Sequence, residues 1–133
     1  MQDVNMPLDQ INDILFENSP IPLWIYDFSE IISQFKKEEL NPEIILKHSK
    51  LVRVNHAVLE LFEAKNIDEI ESNLSKIIPP ESYDDLMNSA RHYISGDDFF
   101  ETETINYTLF GKKLNILLRF IPIRKEENQG IIV

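Results

Sequence analysis

Among the side chains in this sequence able to move protons or hold metals are three histidines, His48, His56 and His92, and adjacent acid pairs such as Asp84-Asp85 and Asp97-Asp98. The histidines show none of the spacings that place ligands around one ion. Neighbouring acids on a helix or strand point in different directions, so neither pair converges on a substrate. They read as a solvated helix start and a solvated turn. The chain has no cysteine, which excludes disulfides, thiolate metal sites and thiol nucleophiles. Its three glycines do not cluster, and no phosphate loop, nucleophile elbow, dinucleotide fingerprint or kinase signature is present. The expectation is a domain that is not itself an enzyme.

The bulk properties agree with a binding module. The 133 residues fit one domain with a single core. A formal charge of −10 repels phosphate backbones and anionic membrane surfaces, so neither nucleic acid nor direct membrane contact is expected. No apolar run approaches the ~20 residues of a membrane span. The opening MQDVNMPLDQ lacks the basic and apolar regions of a signal peptide, and the reading is a cytoplasmic domain.

The elements follow from periodicity. Leu8, Ile11 and Leu15 share a helical stripe, with Ile14 beside it, until Asn18-Ser19-Pro20 breaks the helix. A helix this short needs a partner, either its own domain or a second copy. IPLWIYDF reads as a strand with Trp24 and Tyr26 on one face. Residues 29–49 read as two helices, Ser29 being a candidate cap for the first and Asn41-Pro42 opening the second. LVRVN is a short strand; the helix HAVLELFEAK and a broken helical stretch to Pro79-Pro80 follow. SYDDLMNSARHYISG is the clearest helix, with Tyr83, Met87, Ala90 and Ile94 expected on its buried face and Leu86 alongside. FFETETINYTLF and KKLNILLRFIPI form a hairpin about Phe110-Gly111. After the polar turn KEENQG, IIV begins a final strand. Leu117 and Ile121 occupy the outer face of the hairpin, where a solvated sheet would carry polar residues, which implies a covering element.

In this order the residues resemble the PAS family. LFENSPIPLWIYDFS resembles its opening helix-to-strand passage. LVRVNHAVLELFEA resembles the second strand and helix, with Asn55 closing the strand. SYDDLMNSARHYISGDDFF and INYTLFGKKLNILLRFIPIR resemble the long connecting helix and the hairpin. The resemblance implies an α+β fold, a five-stranded antiparallel sheet with helices packed on one face. It implies a flanking helix at 1–19 and a PAS domain at 20–133. The helical insert at about 29–49 matches sensor members that carry the Trp-x-x-Asp-Phe-Ser signature, here Trp24 to Ser29. The last strand reads as truncated, before the family's closing Asp-Ile-Thr-like signature.

What the resemblance implies for function is a sensory input domain. It would bind a small ligand or a partner and regulate an output module in the same chain, most directly a two-component sensor histidine kinase acting in a phosphorelay. An output of the diguanylate cyclase or transcription-regulator type is the variant of that reading. By alternation and by resemblance, the pocket lining would include Trp24, Tyr26, Met87, Asn106, Ile116, Leu118 and Phe120, of which Ile116, Leu118 and Phe120 read first as core. Dimer contacts would fall on Leu8, Ile11, Leu15, Leu117 and Ile121. No cofactor is named. The family's covalent flavin chemistry needs a cysteine, and its haem ligand would fall near Asp85, about two turns from His92. Two rivals stay open: a structural docking or dimerisation domain with a filled core, and a small hydrolytic or lyase-type enzyme of acidic substrates using His92 or His56 as base.

Overall fold

Alternating apolar residues over residues 99–123 build the longest ladder of the fold. In a computed structural model, which describes residues 7–37, 39, 41–123 and 129–132, β3 (Phe100–Tyr107) and β4 (Lys113–Ile123) pair antiparallel from Phe100↔Phe120 to Tyr107↔Lys113. Gly111, at φ +87°, supplies the left-handed turn residue that closes the hairpin. β5 (Gln129–Ile132) lies between β4 and β1 (Trp24–Asp27), antiparallel to both, and β2 (Lys50–Val54) pairs with the far side of β1. The order is β2-β1-β5-β4-β3 in one five-stranded sheet, the α+β arrangement expected from the sequence. Residues 124–128, most of the expected polar turn, lie outside the described residues, as do residues 1–6 of the expected flanking segment.

β2 departs from simple alternation. Ile25 pairs with Arg53 but Tyr26 pairs with Leu51, so Val52 is an extra residue in the ladder. This bulge lets Leu51 and Val54, three positions apart, both enter the core, while Val52 is left exposed.

Helices supply the other layer. Between β1 and β2 run α2 (Ser29–Lys37) and α3 (Pro42–His48). Asn41 Oδ1 accepts from Ile44 N–H at 2.9 Å and caps α3. For α2 the capping acceptor is Asp27 Oδ1, 2.9 Å from Ser29 N–H, rather than the Ser29 expected from sequence. Ser29 is already helical, so the cap belongs to a residue before it. Hydrogen bonds from Ser29 hold the Asp27 carboxyl below the usual carboxylate range.

α4 (His56–Phe62), α5 (Ile67–Glu71) and α6 (Leu74–Ile77) follow β2, and a 3-10 turn over Pro80–Ser82 leads into α7 (Tyr83–Ile94). Val58, Phe62, Ile70, Leu74 and Ile77 from this group pack beneath Trp24 and Tyr26 as the main core.

α1 (Leu8–Asn18) docks by its polar side. Arg53 Nη1 donates to Asp13 Oδ1 at 2.8 Å, Arg53 Nη2 donates to Glu17 Oε1 at 2.9 Å, and the guanidinium lies 4.3 Å over the Phe16 ring. Asp13, Phe16 and Glu17 lie across the helix from the apolar stripe, so Leu8 and Leu15 remain 71% and 63% exposed. The self-docking alternative therefore does not bury that stripe. Because the Arg53 contacts are solvent-exposed, Arg53→Ala is expected to lower global stability by no more than about 1 kcal/mol. It should nevertheless abolish the hydrogen-exchange protection of the α1 amides, since the helix buries no residue of its own.

Candidate ligand pocket

The inner face of the sheet and the facing side of α7 enclose a pocket of about 100 Å³. Period-two alternation aims Trp24 and Tyr26 of β1, Thr102, Thr104 and Asn106 of β3, and Leu118 and Phe120 of β4 into it. The α7 wall is a stripe at helical spacing: Ser82 just ahead of the helix, then Asp85, Ser89 and Ala90, and Tyr93. Ile31 of α2 and Ile45 and Leu46 of α3 close the roof.

The walls are mainly apolar, and their aromatic rings brace one another. Trp24 stacks on Phe62 at 5.2 Å between centroids, Phe28 lies 4.9 Å from Tyr93, and Phe28 meets Phe120 edge-on at 5.5 Å. Burial, with the Glu71 carboxylate adding to it, pushes the Tyr26 phenol well above its ordinary range and keeps it protonated. The serines of the lining are already committed as donors. Ser82 Oγ donates to Ile105 O at 2.6 Å, Ser89 Oγ to Asp85 O at 2.9 Å, and Ser49 Oγ to Ile45 O at 2.6 Å.

Two acceptors differ. Asn106 is 4% exposed and its Nδ2 donates to Ile105 O at 3.0 Å, while its Oδ1 takes part in no hydrogen bond among the described residues. Asp85, half-buried on the α7 stripe, has a carboxylate with no ion pair or hydrogen bond among those residues.

Trp24, Tyr26, Asn106, Leu118 and Phe120 thus stand where the sequence placed them. Met87 and Ile116 do not line the pocket. Met87 lies one residue round the helix from Leu86 and packs instead against Ile31 and Ile45. Ile116 shares the inner face with Leu118 but lies further toward the hairpin turn, where it joins the core around Trp24 and Phe62. It borders a separate depression of about 360 Å³ with Ile21, Leu61 and Leu117, where Arg119 is the one charged lining residue among the described residues. On α7 the expected Leu86, Met87, Ala90 and Ile94 do pack inward, against Ile31 and Ile45, but its buried residue is Tyr93, and Asp85, expected in solvent beside exposed Asp84, faces the pocket. The roof residues of α2 and α3 were missed, although the apolar pairs Ile31-Ile32 and Ile44-Ile45 were a signal for them.

The histidines are dispersed. His92 stacks on Phe100 at 4.4 Å and its Nδ1 lies 2.6 Å from Asp97, on the outer side of α7 away from the pocket. His56 pairs with Glu60 and His48 with Glu30. Among the described residues no three His, Cys, Asp or Glu side chains gather as a metal site. Nor is any described helix long and apolar enough to cross a membrane.

Solved structures repeat this architecture along nearly the whole chain. The PAS domain of a protein from Colwellia psychrerythraea superposes with a TM-score of 0.67 at 11% identity, over 96% of this chain and 96% of that one. The chain has the PAS fold. A domain of the sensory box sensor histidine kinase/response regulator from Geobacter sulfurreducens shares the PAS architecture with a TM-score of 0.62 and 16% identity, over 93% of this chain and 91% of that one. An RNA-binding Light-Oxygen-Voltage receptor matches 99% of this chain with a TM-score of 0.66 and 14% identity, the match spanning only 35% of the receptor's own length. No family model and no curated protein matches the sequence.

Proposed function

We propose that this PAS domain is a sensory input module that binds a small molecule in the pocket under Trp24 and regulates an attached output module. The observation that carries the reading is the pocket itself: apolar walls with a few polar groups converging on one space, the usual make-up of a small-molecule site. A docking domain with a filled core would have no use for it. That output is a two-component histidine kinase, a reading supported by the similarity to a domain of the sensor histidine kinase/response regulator from Geobacter sulfurreducens.

Self-association completes the proposal. The exposed Leu8, Ile11 and Leu15 of α1 and the exposed Leu117 and Ile121 of the outer sheet face are apolar residues that a second copy would cover. A ligand under the sheet would shift the balance between two arrangements of sheet and α1, which meet at Arg53.

Native mass spectrometry of the purified protein tests both parts at once. The expected result is a dimer carrying a small-molecule mass; monomer without ligand, failing to alter a fused kinase, would overturn the reading. Leu117→Glu is expected to weaken the dimer at least roughly tenfold by placing a charge in an apolar contact. Sedimentation at several concentrations measures it, with unchanged circular dichroism as the control for folding.

A further inference from the structure

The charges around the pocket are one-sided. Among the described residues no lysine, arginine or histidine lines it, and the single Asp or Glu side chain that does is Asp85. The Asp85 carboxylate is carried into the cavity by helical spacing, on the row that also holds Ser82 and Ser89, and no cation pairs with it among the described residues. A second carboxylate, Glu71, stands close enough to act on the Tyr26 phenol. Across the cavity Asn106, 4% exposed, offers an uncommitted carbonyl oxygen. The oxygen itself keeps some accessible surface, so a donor in the cavity can reach it.

An anionic ligand would meet Asp85 with no compensating charge and is disfavoured. A neutral acceptor, such as a ketone, finds the serine hydroxyls already donating to backbone carbonyls; the Tyr26 and Thr104 hydroxyls could serve it, but it leaves Asp85 and Asn106 Oδ1 without a donor. A cationic donor gains on each count. It makes a charge-assisted hydrogen bond to Asp85, a second to Asn106 Oδ1, and lies among the π faces of Trp24, Tyr26 and Phe28.

Size narrows the class further. A dry cavity of roughly 150 Å³ holds one benzene, so a pocket of about 100 Å³ holds a body of about four to six non-hydrogen atoms. We propose that the pocket selects a small primary amine with a short apolar body, held by Asp85 and Asn106 at its ammonium end. This rests on the reading of the pocket as a ligand site.

The test compares three probes of nearly one shape: isopentylamine, isopentanol and isovalerate. Trp24, the sole tryptophan, lines the pocket, so its fluorescence reports occupancy on the intact protein. The amine is expected to bind at least roughly tenfold more tightly than the alcohol, and isovalerate more weakly than both. Asp85→Asn should remove the preference, bringing the amine down to about the affinity of the alcohol. Asp85 also lies in the first turn of α7, where its charge suits the helix dipole, but losing that role would affect all three probes alike. Binding of isovalerate as tight as the amine, or an amine preference that survives Asp85→Asn, overturns the proposal and leaves the ligand site standing. Failure of all three probes to perturb Trp24 overturns the proposal and the ligand-site reading together.

Discussion

Asn55→Ala is expected to lower the unfolding free energy by about 3–5 kcal/mol, a large share of the roughly 5–15 kcal/mol typical of a domain. Asn55 is fully buried at the end of β2 and serves three backbone groups. Its Oδ1 accepts from Leu23 N–H at 3.0 Å and from Val58 N–H at 3.2 Å, and its Nδ2 donates to Ile21 O at 2.8 Å. One side chain therefore caps α4 and holds the entry of β1 against it. Alanine leaves those groups dry and unpaired, each costing about 1–3 kcal/mol, with the cap itself worth about 1. Val58 N–H keeps a second acceptor, Asn55 O at 3.2 Å, which limits the total. Asn55→Asp separates the parts: it keeps the cap acceptor but sets a carboxylate oxygen against Ile21 O, so it too should be strongly destabilised at neutral pH. Denaturant unfolding measures both, and a loss below about 1.5 kcal/mol for alanine would show that the junction is held by other contacts.

Ala90→Leu is expected to remove ligand binding while leaving the fold intact or firmer. Ala90 sits on the pocket stripe of α7, and the extra carbons of leucine project into a space of about 100 Å³. An empty cavity costs about 24 cal/mol per Å³, so filling half of this one returns about 1 kcal/mol. The probe then has no room, and isopentanol affinity should fall at least roughly thirtyfold. The two readouts move in opposite directions, which a variant that merely unfolds cannot imitate. Binding equal to the parent protein would place the ligand elsewhere, and a drop in melting temperature would mean that the space is already filled by side chains.

Much of the pocket was legible from sequence because strands declare their faces locally. Trp24 and Tyr26 differ from Ile25 by one position, and so do Leu118 and Phe120 from Leu117 and Arg119; period two does the rest. Helix rotation is less local. With apolar residues at 86, 87, 90, 93 and 94, α7 could present more than one stripe, and the packing of Ile31 and Ile45 against Met87 selects the one that turns Asp85 inward. A pair of adjacent acids gives no sign of this, since Asp84 stays in solvent on the same turn. The side by which α1 docks was equally hidden. Its apolar stripe predicts burial, yet the contact is made by Asp13, Phe16 and Glu17 because Arg53 lies 36 to 40 residues away in sequence.

By itself the sequence determined the order of elements, the antiparallel hairpin and which residues of β1 and β4 face inward, since each depends on neighbours within a few positions. Tertiary structure alone decided that α2 and α3 roof the pocket, that a bulge buries both Leu51 and Val54, and that one carboxylate enters the pocket. Those outcomes are set by contacts between elements distant along the chain, where volume and charge are matched only once the sheet has formed.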